Sequence, residues 1–193
     1  MIEQFRQFIN QFINLQENEF DAIVKVTSEM HLKKRDHLIR TTKTSDRIVF
    51  FCNGYFRFYH YLENGTEVTS DFHFAPNFAT SYTSLITGEP SNVYVQAMED
   101  MKILVIKKSD LQKLYSKYHN IDKLGRLIAE QVVIALERHL FCLLNYTAEE
   151  RYKYLLNNYP QFIQKIPLQH IASYLGITKE TLSRIRRKIT KSF

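Results

Sequence analysis

The opening residues MIEQFRQFINQFINL place Phe5, Phe8, Ile9, Phe12 and Ile13 at spacings of three and four. That spacing lines apolar side chains along one stripe of an α-helix, so residues 2–15 are expected to form a surface helix. Phe20 to Val26 reads as a second, shorter one. From about residue 30 to 106 the texture changes to short runs rich in Val, Ile, Phe and Tyr, broken by turn residues. Phe56, Phe58, His60 and Leu62 alternate with Tyr55, Arg57, Tyr59 and Tyr61, the period of a strand. Asn53-Gly54 and Asn64-Gly65 carry the strongest short hairpin signal. "NVYVQAMEDMKILVIKK" reads as strand, tight Glu99-Asp100 turn and strand. Strands spaced at about ten residues suggest an antiparallel sandwich or barrel.

Beyond residue 106 the helical period returns. Ser109 is expected to cap a helix through about Tyr118, and a longer helix should run from about Ile121 to Leu144. On it Ile121, Leu124, Ile128, Val132, Ala135, His139, Cys142 and Leu143 share one stripe, with Asp122, Lys123, Arg126, Glu130 and Glu137 opposite. Val133, Ile134, Leu136, Leu140 and Phe141 make the remaining surface apolar too. A helix that apolar has more than one surface to cover; it is expected to pack on the β-body and against a second copy of itself. Thr147 with Glu150 is a capping box that restarts the chain as a new helix, and Pro160 and Pro167 bracket the next segment.

The last stretch, IPLQHIASYLGITKETLSRIRRKI, has the pattern helix, turn, helix. Pro167 suits a first helical position, Ile171 and Leu175 face inward, and Ala172 leaves room for a crossing helix. Gly176 supplies a turn, Ile177 plugs the core beneath it, and Thr178 caps the second helix. On that helix Leu182, Ile185 and Ile189 gather on one side and Lys179, Glu180, Ser183, Arg184 and Arg187 on the other.

Charge sharpens this picture. Residues 147–193 hold nine Lys and Arg against three acids, so the whole net charge of +6 sits in the last quarter of the chain. A neutral body with a cationic end is the footprint of a polyanion-binding module. Glu180 is the discriminating residue. Phosphate repels a carboxylate, whereas a cytosine amino group donates to one, and Arg184 can fork onto guanine. Lys179, Arg187 and Lys188 suit the phosphate backbone, which positions without specifying.

Other chemistry is sparse. Cys52 and Cys142 make no disulfide framework and are expected as buried thiols. The seven histidines single out no metal or haem ligand, although His139 and Cys142 lie three apart on one predicted helix. "DFHFAP" offers one His with no partner two residues away, so a metal-dependent cupin-like enzyme on the β-body is a weak alternative. A nonspecific architectural DNA-binding protein is another, sharing the charge argument but not Glu180. No phosphate loop, nucleophile elbow or His-Glu-x-x-His motif appears; no enzyme activity and no cofactor are expected. No apolar run reaches membrane-spanning length, and the N-terminus lacks a secretion-signal pattern, which predicts a cytoplasmic protein without membrane attachment.

The segment ASYLGITKETLSRIRRKI resembles the recognition region of the Crp–Fnr family of bacterial transcription regulators, and the resemblance extends over nearly the whole chain. "TAEERY", "PLQHIASYLGIT" and "LITGEPSNVYVQAMED" are similar to the branch common in Bacteroidetes. The resemblance implies an α+β fold: an N-terminal antiparallel β-roll (a cyclic-nucleotide-binding-like jelly roll) with flanking helices over 1–120, a dimerisation helix and hinge over 121–146, and a helical helix-turn-helix domain over 147–193. With the chain ending at Phe193, that last domain is expected to lack the distal wing. The hinge is expected near Asn145-Tyr146-Thr147, and Ile121, Leu124, Ile128, Val132, Ala135 and His139 on the dimer helix.

The family's base-reading pattern of basic residue, Glu, Thr, two spacers and Arg falls on Lys179, Glu180, Thr181 and Arg184, with Ser183 beside them. Gln169, Thr178, Arg187 and Lys188 are expected at phosphates, while Leu168 stands where the family often has Arg. Implied partners are double-stranded DNA, a second copy of the chain and RNA polymerase, with a small-molecule effector or none. Family members that bind cyclic nucleotide use a Gly-Glu pair and an Arg-Ser or Arg-Thr pair. Those positions align here with Ala79-Thr80 and Ser91-Asn92, so both charged anchors are missing and cyclic AMP is not the expected effector. An uncharged or aromatic ligand near Phe78, Ala79, Thr80, Tyr82, Asn92 and Tyr94 fits the residues.

Overall fold

The computed structural model describes residues 1–190. Lys191, one of the terminal cations, and the expected absence of a wing lie outside the described residues. The fold is α+β. Helices α1 (Ile2–Ile9) and α2 (Glu17–Lys25) precede eight strands: β1 (Thr27–Leu32), β2 (His37–Ile39), β3 (Arg47–Phe51), β4 (Tyr55–Tyr61), β5 (Glu67–Phe74), β6 (Asn77–Ala79), β7 (Tyr94–Ala97) and β8 (Met101–Lys107). A short helix α3 (Tyr82–Thr87) interrupts them between β6 and β7. After β8 come α4 (Lys108–Lys117), α5 (His119–Asn145), α6 (Ala148–Asn158), α7 (Pro160–Lys165), α8 (Leu168–Tyr174) and α9 (Lys179–Thr190).

The strands form two four-stranded sheets, ordered β1-β8-β3-β6 and β2-β7-β4-β5. The registered pairs are antiparallel, among them Val49 with Val105 in the first sheet and Phe58 with Val95 in the second. Asn64-Gly65 turns β4 back onto its sheet neighbour β5, as the sequence predicts. Asn53-Gly54 does not make a hairpin: it carries the chain from β3 in one sheet to β4 in the other. Glu99-Asp100 does the same between β7 and β8. The reason lies in the flanking side chains. Phe51 and Phe56, on either side of the Asn53-Gly54 turn, are fully buried and meet edge to face at 4.9 Å inside the roll. A hairpin within one sheet would give up that contact between the two layers.

Two apolar clusters fill this part of the molecule. Inside the roll lie Val49, Phe51, Phe56, Val95, Ile103 and their neighbours. On the other face of the first sheet, Phe50, Leu104 and Ile106 pack with Phe5, Phe8, Ile9, Phe20 and Ile23 of the N-terminal helices and with Leu114, Ile121 and Leu124. The opening stripe forms helix only as far as Ile9, yet Phe12 and Ile13 still pack against this cluster. Glu19 is buried without being orphaned: its carboxylate accepts from the Gln16 amide at 2.9 Å and from Asn120 Nδ2 at 3.1 Å.

The chain divides into two compact units. One holds residues 1–60 and 71–131; the other holds 61–70 and the residues from 132 on. Within the second, the Thr147–Glu150 capping box forms: the Glu150 amide donates to Thr147 Oγ1 at 3.3 Å and the Thr147 amide to Glu150 Oε2 at 2.8 Å. Leu155, Phe162, Ile166, Ile171, Ala172, Leu175, Leu182 and Ile185 are among its buried apolar residues. Pro167 stands as the N-cap of α8 rather than as its first helical residue, and Lys107, not Ser109, precedes α4.

Candidate nucleic-acid interface and sensor pocket

Helix α9 is positioned by its own apolar face and by its cap. Leu182 is wholly buried and Ile185 nearly so, against the segment that carries Ile171, Ala172 and Leu175. Gly176 takes φ +67°, a left-handed conformation that costs glycine little, to turn the chain between α8 and α9. The Thr181 amide then donates to Thr178 Oγ1 at 3.2 Å, capping α9. With one face fixed, the other is exposed: Lys179, Glu180, Arg184, Arg187 and Lys188 all face solvent, and Thr181 and Ser183 are half-buried at its edge. Glu180, Arg184 and Arg187 follow one another at four and three residues, on a single stripe.

Two of the residues expected at phosphate already have other work. The Thr178 hydroxyl accepts from the Thr181 amide and lies 3.2 Å from Thr181 Oγ1, so the cap occupies it. Lys188 Nζ sits 2.6 Å from Glu149, which also holds Lys153 at 2.8 Å. Hydrogen bonds from Lys153 and then Lys188 pull the Glu149 carboxyl down to about 2. Gln169 and Arg187 are exposed. Sequence reasoning also passed over Arg151. Its Nε donates to the Leu175 carbonyl at 3.0 Å and its Nη1 to the Tyr146 carbonyl at 2.7 Å, with Leu143 O at 3.4 Å. One guanidinium thus ties the end of α5 to the turn before α9. The residues it joins are far apart in sequence, and no local pattern marks them.

On α5 the predicted dimer stripe proves to be largely the intramolecular one. Ile121 and Leu124 are buried, Ile128 packs on the cluster beneath the N-terminal helices, Val132 is half-buried, and His139 stacks on Tyr174 with ring centroids 4.4 Å apart. Ala135 is exposed. The apolar surface that does face solvent lies elsewhere on the helix: Val133, Ile134, Leu136, Leu140, Phe141, Leu143 and Leu144. Leu144 is 75% exposed and Leu136 and Leu140 56% each. Cys142 is buried and Cys52 only partly so.

The residues expected around an effector do not form one pocket. Ala79 is buried in the roll interior. Thr80 donates its hydroxyl to the Arg47 carbonyl at 2.8 Å and lies 3.0 Å from Ser45 Oγ. Tyr94 stacks on Tyr59 at 5.1 Å, beside His37, and Asn92 is exposed. Phe78 and Tyr82 belong to the opposite side of the first sheet, where Phe78 meets Phe5 and Phe50 edge to face. The split follows from the pleat: Phe78 and Ala79 are successive residues of one strand and point to opposite faces. Ser91, at the second anchor position, donates to Ser81 Oγ at 2.8 Å and lies 2.7 Å from the Val93 carbonyl, so its hydroxyl is engaged within the protein.

Two histidines in the roll have opposite electrostatics. Burial, helped by Arg40, pushes His37 down, and its Nε2 lies 2.8 Å from the Tyr59 hydroxyl. At His73 burial also acts downward and is the largest single influence. It is outweighed by the hydrogen bond and charge of Asp71 at 3.2 Å and by the Phe78 carbonyl at 3.0 Å, so the imidazole is raised. Both ring nitrogens face acceptors, an arrangement that suits the imidazolium. A raised folded-state value means that His73 contributes stability fully below its ordinary 6.5, and that this contribution fades as pH rises through the folded value. The gap in unfolding midpoint between the native chain and His73→Gln should therefore be wider at acidic than at alkaline pH. A gap independent of pH would contradict the assignment.

Residues 29–118 match the family model of the cyclic nucleotide-binding domain. Solved structures share the fold over most of the chain. FixK2 from Bradyrhizobium japonicum aligns with a TM-score of 0.73 at 21% identity, covering 86% of this chain and 86% of its own. The c-di-GMP-responsive global regulator CLP of Xanthomonas campestris gives 0.72 at 14%, covering 92% and 93%. A protein assigned to the crp/fnr family of transcriptional regulators, from Eubacterium rectale, gives 0.73 at 15%, covering 93% and 85%. No curated protein matches the chain. The class these observations define is a cyclic nucleotide-binding-type roll followed by a helical C-terminal region. No helix among the described residues is long and apolar enough to cross a membrane.

Proposed function

We propose that the protein is a sequence-specific DNA-binding regulator of transcription of the Crp–Fnr type, acting as a homodimer on a palindromic promoter site. In this reading residues 1–120 are the sensor, 121–146 the dimerisation helix and hinge, and 147–193 the reading head. RNA polymerase is the further partner it would serve. The observation that carries the reading is the exposed stripe of α9. A capped helix anchored by Leu182 and Ile185 presents Lys179, Glu180, Arg184 and Arg187 outward, with one carboxylate among the cations. A helix of this kind enters a major groove about 12 Å wide. Glu180 and Arg184, one turn apart, would take base edges, with Thr181 and Ser183 at their flank. Gln169 and Arg187 would take phosphates, joined by Lys188 once it leaves Glu149. Two heads related by a two-fold axis would read half-sites about 34–36 Å apart.

Selection of bound sequences from a random DNA pool tests this directly. A palindromic consensus bound about 10³-fold or more above random DNA is expected; enrichment without a consensus would sink the proposal. Arg184→Ala should cost about 1–3 kcal/mol and relax one base position, whereas Arg187→Ala should weaken all sequences alike and lower the salt slope by about one unit. Competition binding at several salt concentrations separates the two.

The sensor should not take cyclic AMP tightly. Thr80 stands where the family's Glu would be and Ser91 where its Arg would be, and neither supplies a charge for a ribose hydroxyl or a phosphate. An anion in an apolar roll needs such a partner. Calorimetry with cyclic AMP should show no micromolar site; finding one would overturn this part of the reading.

A further inference from the structure

Between the helix-facing side of the β1-β8-β3-β6 sheet and helices α1 to α5 lies a cavity of about 360 Å³. Its volume falls within the ~300–1,000 Å³ typical of small-molecule sites. It is separate from the roll interior that holds Ala79 and from the Thr80 and Ser91 positions. Its walls are apolar, including Ile9, Phe78, Leu85, Leu111, Leu124 and Ile128. Four residues of α4, Lys108, Leu111, Gln112 and Tyr115, line it at the spacing of a single helix face. Lys108 and Tyr115 therefore stand at opposite ends of that face, about 10 Å apart along the axis.

The charges around the cavity are unequal. Arg126 is already held by Glu130 four residues on. Lys108 is half-buried, and its ammonium has the Ile86 carbonyl at 3.3 Å but no carboxylate among the described residues. The lone acid on the lining, Asp122, is exposed and acts on the Tyr115 end. There the phenol lies so close to Gly125 that a Cβ at that position would come within 2.5 Å of its oxygen. Burial pushes the Tyr115 phenol up to about 12, so it stays a neutral group.

We propose that this cavity binds an alkyl monocarboxylate, its acid group on Lys108 and its chain running inward toward Phe78 and Ile128. A monoacid fits the charges: Lys108 supplies one cation with an open bonding direction, and Asp122 repels a second carboxylate at the far end. The apolar wall supplies the affinity, and Gly125 leaves Tyr115 room to close the far end. The site is independent of any DNA-binding role, so it is tested on the protein without DNA.

The experiment is a calorimetric titration of the chain with the straight-chain acids from hexanoate to palmitate, each below its micellar concentration. Affinity should rise about fourfold per added methylene until the cavity is filled, then level off. Lys108→Gln should weaken each acid about tenfold or more while leaving the alcohol of matched length unchanged. Ile86→Trp, at the exposed rim, should weaken acid and alcohol together by obstructing the mouth. No binding at any chain length would overturn the proposal. So would binding that treats acid and alcohol alike and survives Ile86→Trp. The chain-length series on the unmodified protein decides the matter even if a variant fails to fold.

Discussion

In the proposed homodimer, Leu140→Glu combined with Leu144→Glu should leave a single-chain species. Both side chains are mostly exposed, 56% and 75%, and they continue the line from Val133 and Leu136 along one flank of α5. Two such flanks packed together would hide apolar surface that an isolated chain leaves in water, and two carboxylates per chain at that contact would have to be stripped of solvent without partners. The folded chain itself should tolerate the changes, because neither residue packs in its interior. The consequence for DNA is larger than for mass. A paired head gains from its tethered twin a factor of about 10²–10⁴ in avidity, and specific binding should fall by that order. Light scattering gives the assembly state, and a binding isotherm on the selected site gives the affinity. A double variant that remains dimeric would show that another surface holds the pair.

Leu182→Ala should dismantle the proposed reading head from within. Leu182 is fully buried at the centre of the apolar face of α9, and truncations of this type cost about 2–5 kcal/mol. That is a large share of the stability of a small unit. Hydrogen exchange should show lost protection along α8 and α9 while the amides of Val49 and Val105 in the roll keep theirs. The proposed DNA binding should disappear with the helix, even though no residue expected to touch DNA has changed. Full protection of α9 in this variant would mean that its core lies elsewhere.

Much of this architecture is legible in the sequence because the signals are local. The Thr147–Glu150 box, the Thr178 cap, the Gly176 turn and the sorting of α9 into apolar and charged sides each depend on a few neighbouring residues. What the sequence conceals is the choice among partners that a local pattern leaves equivalent. Asn53-Gly54 announces a turn but not whether the next strand returns to the same sheet, and Phe51 and Phe56 settle that only once they meet across the roll. On α5 both faces are apolar, so periodicity cannot say which is covered by the chain itself; the stripe through Ile121 and Leu124 is, and the one through Val133 and Leu144 is not. The expected effector pocket mixed Phe78 with Ala79, neighbours that the pleat sends to opposite sides. Lys188 looks like a phosphate ligand until Glu149, 39 residues away, takes it.

In the proposed regulator, the guanidinium of Arg151 bears on how a signal could reach DNA. The family resemblance implies a hinge near Asn145-Tyr146-Thr147, but Arg151, on its far side, holds the carbonyls of Leu143 before it, Tyr146 within it and Leu175 beyond Tyr174. Bending there would break charge-assisted bonds worth about 1.5–3 kcal/mol each, and Leu175 would be dragged along with Tyr146. The terminal helices and the tail of α5 should thus move as a single lever.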